Sequence, residues 1–431
     1  MSAAASVDEG VRKGTLVNLV TRGARVAAVL GITTLVARVS PQAQGTFALF
    51  TSVEGLLLAL VSGFGIALAR RVSHHGEQPR GWVGAMVLAL AGFGLLAGAV
   101  LWAVSAFGPA AYRWLWLLAV AAPLLLLSPN LAGWWLGQGR MVPMSRVSLA
   151  PPCLALALLA VVWALGRGGV PQVLAAWVGA KLLVALVLLG LFRRGDRLGR
   201  PDFAALRADT AFIVTIGVTN LIGLANYRVG LFVVEHVRGL ADTGVYSIAV
   251  VVAELLWFVS GSLTQAVYAR IGTPDADLAA NTTVRVVQLG VTALLLAAPL
   301  LWLLAALLLP RVLGPAYAGS LLPLALLLPG ALLFGGASAF SAYFTNHVGR
   351  PQVPAQVAAL SLLVNGLLAW TLVPRLGTAG AALAASAAYT VSVVVLAGCF
   401  ASAVGWPLRR VLWPGPALAR DLRLVFARRR R

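Results

Sequence analysis

Long apolar runs, separated by short polar connectors, dominate the hydrophobic pattern of this 431-residue chain. Most runs are about 20 residues long, the length that an α-helix needs to cross the hydrocarbon core of a bilayer. The pattern therefore predicts an all-α, polytopic membrane protein. Twelve spans are predicted, at residues 14–37, 46–69, 81–107, 114–136, 147–166, 171–192, 211–235, 245–268, 286–309, 320–345, 354–373 and 379–400.

The first span carries two arginines. Its apolar stretch, residues 26–37, is shorter than the roughly 17–25 residues that a span requires, so the helix must extend back to about residue 14. Arg22 and Arg25 then lie inside the membrane on one helix face, with Asn18 one turn earlier on that face. Each arginine costs about 2.5–3.5 kcal/mol near a helix centre. Two fixed positive charges in this position predict a cavity that receives an anion.

Composition and charge narrow the class further. With 60% hydrophobic and 11% charged residues, the chain cannot be one water-soluble globule. The net charge of +20 invites a nucleic-acid interpretation, but 23 of the 33 basic residues fall on the side predicted to be cytoplasmic and six outside. This bias follows the positive-inside rule, which places both termini in the cytoplasm. The charge therefore indicates topology, not nucleic-acid binding, and the Arg-rich tail is expected to rest on anionic membrane lipids.

Matching landmarks recur in the two halves of the chain. The segment QGTFAL at 44–49 follows the first span, and TGVYSI at 243–248 follows the seventh. The second span of each half carries one acid at similar depth, Glu54 and Glu254. These repeats predict two six-helix lobes related by an axis along the membrane normal. The predicted parts are a cytoplasmic segment 1–13, lobes at 14–192 and 211–400, a cytoplasmic linker 193–210 and a basic cytoplasmic tail 401–431.

Four further charged residues inside spans are candidates for function. Lys181 lies about ten residues from either end of the sixth span, too deep to reach the interface, and is predicted to line a cavity or form a buried pair. Arg228, in the seventh span, is predicted to be functional. Glu54 and Glu254 are candidates for proton or sodium coupling, although acids in spans also serve as counter-ions to arginines.

The sequence shows no catalytic or metal-binding constellation. His74 and His75 have no ligand partners at metal spacing, and neither a Walker A sequence nor HExxH occurs. We therefore predict neither an enzyme nor a resident metal or cofactor.

Several segments, in order, resemble polysaccharide flippases. Residues 309–319 (LPRVLGPAYAG) are similar to the outer loop between spans nine and ten of those proteins. Residues 346–351 (NHVGRP) and 373–384 (VPRLGTAGAALA) are similar to later landmarks, and residues 241–247 (ADTGVYS) to the loop after span seven. The resemblance covers nearly the whole chain. It points to the multidrug/oligosaccharidyl-lipid/polysaccharide (MOP) exporter superfamily, nearest its Wzx-type branch.

That resemblance implies a flippase in the cytoplasmic membrane. Its substrate would be a polyprenyl-diphosphate-linked oligosaccharide, moved by alternating access, with a polysaccharide polymerase and other assembly proteins as partners. Two six-helix bundles would enclose a central cleft in which basic side chains meet the diphosphate. The residues expected to bind substrate there are Asn18, Arg22, Arg25, Lys181 and Arg228.

Three alternatives stay open. A drug/cation antiporter of the same fold should have an acidic cleft. A peptidoglycan-precursor (lipid II) flippase usually carries two extra carboxy-terminal spans. A non-transporting scaffold of a polysaccharide-assembly complex would need no charged cleft. Relatives often place an acid directly after the span-seven arginine, whereas this chain has Val229 there. A coupling mechanism that depends on an acid at that position is therefore not expected here.

Overall fold

The computed structural model describes residues 20–21, 23–75, 78–166 and 168–412. Over these residues the secondary structure consists of helices and the turns that join them. Eleven helical segments there are long and apolar enough to cross a membrane, and residues 23–37 form a shorter apolar helix before them. The prediction of an all-α, polytopic membrane protein is confirmed.

We number these segments α1–α12 in chain order, and each overlaps one predicted span. Their bounds are Gly23–Ala37, Pro41–His75, Arg80–Phe107, Ala110–Gly137, Met141–Ala164, Val170–Arg194, Thr210–Arg238, Leu240–Thr264, Ala276–Val312, Pro315–His347, Gln352–Leu376 and Thr378–Val404.

Besides α8, which breaks once at Leu255, two of these spans, α4 and α10, are divided into several pieces. The first opens with a 3-10 turn, Ala110–Leu115, and continues as three short α-helices. The second also opens with a 3-10 turn, Pro315–Ser320, and ends in a π-helix, Tyr343–His347. Each contains an internal proline, and a proline removes one backbone hydrogen bond and crowds the preceding turn. An apolar run predicts that such a segment spans the membrane but not where its helix breaks.

The chain forms two compact units, which are described separately. Unit 1 runs to Leu224, and unit 2 begins at Ala225. The boundary lies inside α7, so this helix contributes its first half to unit 1 and its second half to unit 2. It falls later in the chain than residues 193–210, the segment predicted to link two lobes.

In unit 1, the segment that follows α6 is held on aromatic side chains of α4. The ring of Phe192 packs edge-on against Trp134 and Trp135, with ring centroids 5.9 and 5.5 Å away. The guanidinium carbon of Arg197 lies 5.6 and 5.8 Å from the centroids of the same two indoles. Cation–π contacts of this kind stabilise by about 0.5–2 kcal/mol, depending on desolvation. The segment is therefore fixed where it leaves the helix.

Backbone hydrogen bonds then attach this segment to the start of α3. The amide of Gly199 donates to the carbonyl of Arg80, and the amide of Asp202 to the carbonyl of Gly81, both at 2.9 Å. The side chain of Arg80 also pairs with Asp196. These contacts make the predicted linker part of the ordered unit.

Asp209 anchors the end of the same segment. Its carboxylate accepts hydrogen bonds from Arg71 Nε at 2.5 Å and from Trp82 Nε1 at 3.0 Å. Arg71 also donates to the carbonyl of Ala205 at 3.1 Å. The Arg71–Asp209 pair is mostly shielded from solvent, and the carboxylate also accepts a hydrogen bond from the indole of Trp82. The pair is therefore stronger than an exposed surface pair. The chain therefore enters α7 from a fixed point of unit 1.

In unit 2, α10 and α12 share an aromatic core. The ring of Phe400 lies 5.0 Å from that of Phe340 and 4.7 Å from that of Tyr343, measured between centroids. All three side chains are buried. The α11–α12 hairpin turns at Gly377, where φ is 60°. A left-handed conformation of this kind favours glycine.

Close helix contacts in both units depend on glycine. A Cβ atom at Gly133 of α4 would lie 2.1 Å from the carbonyl oxygen of Gly65 on α2. A Cβ atom at Gly330 of α10 would lie 2.4 Å from the Cα of Ser386 on α12. Small residues allow membrane helices to approach closely enough for backbone packing.

We expect Gly133→Ala and Gly330→Ala each to destabilise the protein by about 1–3 kcal/mol, because the helices must separate to admit a methyl group. Gly92→Ala on α3 is the matched control, since no atom lies within 4 Å of its added Cβ. Melting temperatures of the purified proteins in one detergent provide the comparison. Equal melting temperatures for all three variants would contradict the packing described.

Candidate functional site

A buried ion pair lies between α2 and α6 of unit 1. The side chain of Glu54 is only 2% exposed, and its Oε1 pairs with the ammonium group of Lys181. The indole Nε1 of Trp177 donates to the other carboxylate oxygen at 2.7 Å. The ammonium group also lies 4.0 Å from the centroid of the Trp177 ring. Glu54 is therefore held by two donors, and Lys181 by a carboxylate and an aromatic face.

Helix periodicity places these side chains together. Trp177 and Lys181 are four residues apart on α6 and so share a face. Phe47 lies two turns before Glu54 on α2 and packs edge-on against Trp177, with centroids 5.4 Å apart. Removing one partner from such a pair leaves an unpaired charge in a low-dielectric site and typically costs about 3–5 kcal/mol.

A second ion pair joins α7 and α8 in unit 2. Arg228 Nη1 lies 3.0 Å from Glu254 Oε1, and Arg228 Nη2 donates to Glu254 Oε2 at 3.4 Å. Two parallel contacts of this kind match the planar guanidinium to the carboxylate. The two side chains are 22% and 25% exposed. Glu254 is thus far more accessible than Glu54, whereas Arg228 is only slightly more exposed than Lys181, at 22% against 19%.

A hydrogen-bond network fixes the helix that carries Arg228. Asn226 Nδ2 donates to Ser361 Oγ at 2.9 Å, and Ser361 Oγ donates to the carbonyl of Ala388 at 3.0 Å. Asn365 Nδ2 donates to the backbone carbonyl of Asn226 at 2.8 Å. These bonds connect α7, α11 and α12 at positions that are almost fully buried. Interhelical bonds between polar side chains stabilise membrane bundles and set the rotation of each helix.

The predicted site residues have different outcomes. Asn18 and Arg22 lie outside the described residues. Arg25 lies on α1 with an exposed side chain and takes part in a contact there. The structure pairs each of the other two predicted substrate-binding cations with one of the predicted coupling acids. Those pairs are Lys181–Glu54 and Arg228–Glu254.

The aromatic partners of both pairs were missed at the sequence level. Trp177 precedes Lys181 by one helical turn, and Tyr227 is the residue before Arg228. Trp257 follows Glu254 by three residues. The one-turn spacing of Trp177 and Lys181 was the available signal in unit 1, whereas Tyr227 adjoins Arg228 directly and has no such spacing. Such spacing shows which residues share a face of one helix, but not which neighbouring helix that face contacts.

Comparison with known proteins identifies the fold. No protein-family model matches the sequence, and the search of curated proteins gives no match. Solved structures match over nearly the whole chain. An inward-facing multidrug resistance MATE family transporter of the MOP superfamily has 15% sequence identity and a TM-score of 0.72, covering 88% of this chain and 95% of its own.

Two further structures show the range of these relatives. The lipid II flippase MurJ, in an inward closed conformation, has 14% identity and a TM-score of 0.65, covering 92% of this chain and 89% of its own. A MOP superfamily transporter from Pyrococcus furiosus, described with a binding pocket of reversed polarity, has 14% identity and a TM-score of 0.62. It covers 90% of this chain and 94% of its own.

This chain shares its fold with these transporters of the MOP superfamily. Identities near 15% establish the architecture and leave substrate and branch to be argued from the side chains. The MOP superfamily resemblance seen in the sequence therefore agrees with the fold, whereas the Wzx-type branch stays a prediction.

We expect Lys181→Met to lower the melting temperature, because it leaves the carboxylate of Glu54 buried without its cation. Adding Glu54→Gln to that variant should restore most of the loss, because the amide carries no charge. A double-mutant cycle on the purified proteins measures this coupling. Additive effects of the two changes would show that the pair does not contribute as described.

Proposed function

We propose that this protein is a flippase that carries a polyprenyl-diphosphate-linked oligosaccharide from the inner to the outer leaflet of the cytoplasmic membrane. It acts as a transporter rather than an enzyme and alternates between inward-facing and outward-facing states. MATE relatives of the same fold have been solved in both conformations, which supports this mode of action. Both termini lie in the cytoplasm, as the basic residues of the loops predict.

The observation that carries the proposal is the pairing of both mid-span carboxylates with basic side chains. Among the described spans, Glu54 and Glu254 are the acids near the middle, and each already has a cation beside it. A cationic drug would have to displace a fixed lysine or arginine to reach either acid. An anionic substrate would bind the lysine or arginine instead. It would have to displace only the carboxylate of the pair, and a proton can neutralise that carboxylate. The site therefore favours an anionic substrate.

Protonation of the acids connects transport to the proton gradient. When Glu54 or Glu254 takes up a proton, Lys181 or Arg228 loses its counter-charge and becomes available to a diphosphate. Binding of the anion in turn favours the protonated acid, since the two processes share one free energy of coupling. Sodium in place of the proton is the alternative coupling ion.

The diphosphate is the part of the substrate for which crossing the membrane without basic side chains costs most. A doubly charged group and several sugars cannot cross bare hydrocarbon, whereas the polyprenyl tail can stay in the lipid. We assign the charge-pairing role to Lys181 and Arg228, with Arg22, Arg25 and Asn18 of the first span as further contacts.

Removing the cations should abolish flipping. We expect Arg228→Gln, Lys181→Gln and Arg25→Gln each to reduce transport of a fluorescent polyprenyl-diphosphate oligosaccharide in proteoliposomes by at least about tenfold, equivalent to 1.4 kcal/mol. Arg238→Gln, at the end of α7, is the control. Arg228→Lys keeps partial activity if charge suffices and loses it if bidentate contact is needed. Full transport by the Lys181→Gln, Arg228→Gln double variant would defeat the proposal.

Neutralising the acids should remove the effect of pH on anion affinity. In the wild type, affinity for the diphosphate lipid should rise as pH falls, because protonated acids release their cations. Glu54→Gln and Glu254→Gln imitate the protonated state and should bind more tightly at neutral pH. In the Glu54→Gln, Glu254→Gln double variant, the affinity should change with pH only as far as the ligand itself is protonated. Glu235→Gln, near the end of α7, is the matched control. Unchanged pH and sodium dependence in the double variant would rule out coupling through these acids.

The same assay separates the remaining candidates. A lipid II flippase would use the same diphosphate contacts but prefer a peptidoglycan precursor over other lipid-linked oligosaccharides. A drug/cation antiporter would move a cationic dye, and a scaffold would move none of these. Selective transport of a non-peptidoglycan oligosaccharide supports the polysaccharide branch and, with it, partners such as a polymerase.

A further inference from the structure

Four aromatic side chains from four spans meet inside unit 2. They are Tyr227 of α7, Trp257 of α8, Phe334 of α10 and Tyr389 of α12, and we call them the aromatic quartet. Ring centroids are separated by 4.9 Å for Tyr227–Trp257, 5.9 Å for Tyr227–Phe334 and 5.1 Å for Phe334–Tyr389. Aromatic residues of membrane proteins usually collect at span ends, near the headgroups. The quartet instead lies well inside its spans.

The accessible ion pair of unit 2 borders the quartet. Tyr227 precedes Arg228 directly, and Trp257 follows Glu254 by three residues, just after the break in α8 at Leu255. The indole of Trp257 is fixed by a hydrogen bond from Nε1 to the carbonyl of Ala331 at 3.0 Å. Its ring, like those of Tyr227 and Phe334, stays partly exposed. The quartet thus presents aromatic faces next to charged groups that a ligand can reach.

Two buried tyrosines, Tyr246 and Tyr389, pack beside the quartet and α7; they are 2% and 4% exposed. The ring centroid of Tyr389 lies 6.2 Å from that of Tyr227 and 6.0 Å from that of Trp257, and a Cβ atom added at Gly230 of α7 would lie 3.0 Å from the hydroxyl of Tyr246. No hydrogen bond joins either hydroxyl to another residue in the described part of the chain. Buried hydroxyls are normally satisfied, because an unmade hydrogen bond costs free energy. Both hydroxyls therefore have hydrogen-bonding capacity that no described residue uses.

We propose that the aromatic quartet, the Arg228–Glu254 pair and the two hydroxyls form a saccharide-binding site that selects the head group of the substrate. A sugar ring has apolar C–H faces and a rim of hydroxyls. The partly exposed rings cover such a face, while the guanidinium, the carboxylate and the tyrosine hydroxyls bond to the rim. A mostly apolar site with a few directed polar groups is the usual form of a specific ligand pocket. The inference rests on the proposed function only for the claim that the bound sugar is carried.

Two other ligand classes fit this site less well. A quaternary ammonium ion also binds aromatic faces, but the guanidinium of Arg228 repels it there. A free phosphate can pair with the guanidinium but makes no use of the four rings. A sugar uses the rings and the polar groups together.

Direct binding of small saccharides tests the site. We expect purified full-length protein to bind at least one of the methyl glycosides of glucose, galactose, mannose, rhamnose and N-acetylglucosamine by saturation-transfer NMR. Tyr389→Phe should weaken that binding about tenfold, because it removes one hydroxyl and keeps the ring. Trp257→Leu should abolish it. Tyr343→Phe, in the separate core with Phe340 and Phe400, is the matched control and should bind as the wild type does.

Each outcome bears on the proposal. No binding of any of these glycosides by the wild type, or equal binding by wild type and Tyr389→Phe, would overturn it. Binding of tetramethylammonium in competition with the sugars would do the same. Transport is measured separately: if sugars bind but no lipid-linked oligosaccharide is flipped, the site stands and the proposed function fails. If sugar-free polyprenyl diphosphate is flipped as well as the glycosylated form and no sugar binds, only the site fails.

Discussion

A charged side chain inside a bilayer has no water to solvate it, so it needs a partner of opposite charge or a ligand. The two ion pairs follow from this constraint. Glu54 is enclosed with Lys181 and Trp177 in unit 1, and Glu254 faces Arg228 in unit 2. Packing, aromatic contacts and the polar network around α7 place these partners within reach of each other. Each pair supplies a counter-charge to a charge inside a span, and under the proposed function an anion would compete with the carboxylate of each pair.

The two pairs also differ in ways that suit different tasks. Glu54 is enclosed and shares the indole of Trp177 with Lys181, so the pair is held firmly in unit 1. Arg228 and Glu254 are more exposed and lie beside aromatic rings and free hydroxyls in unit 2. We interpret the first as a site for charge and the second as a site that also recognises the head group. Similar depth of the two acids in the sequence did not imply similar surroundings.

The sequence predicted the positions of the eleven long spans in the described residues, because the length of an apolar run is set by bilayer thickness. It also predicted that Lys181, Arg228, Glu54 and Glu254 are unusual, since any charge at such depth is costly. It did not predict which of them pair. Glu54 and Lys181 are 127 residues apart, and helix periodicity gives a residue's face but not the neighbour that the face meets.

The same limit explains the other differences. The four rings of the quartet come from four different spans, so no local sequence pattern predicts that they meet. Residues 193–210 are predicted to link the lobes, but the sequence does not indicate that Arg197 and Asp202 attach them to unit 1 through indoles and backbone groups that are distant in sequence. The breaks in α4 and α10 arise within uniformly apolar runs that otherwise predict continuous helices.

Proton uptake during ligand binding tests the central claim most directly. Polyprenyl diphosphate is added to the purified protein in weakly buffered solution near neutral pH, and the pH change is recorded against a protein-free control. The account predicts that the wild type takes up protons on binding and that the Glu54→Gln, Glu254→Gln double variant binds without this uptake. Binding by the wild type with no net uptake, or equal uptake by the double variant, would contradict it.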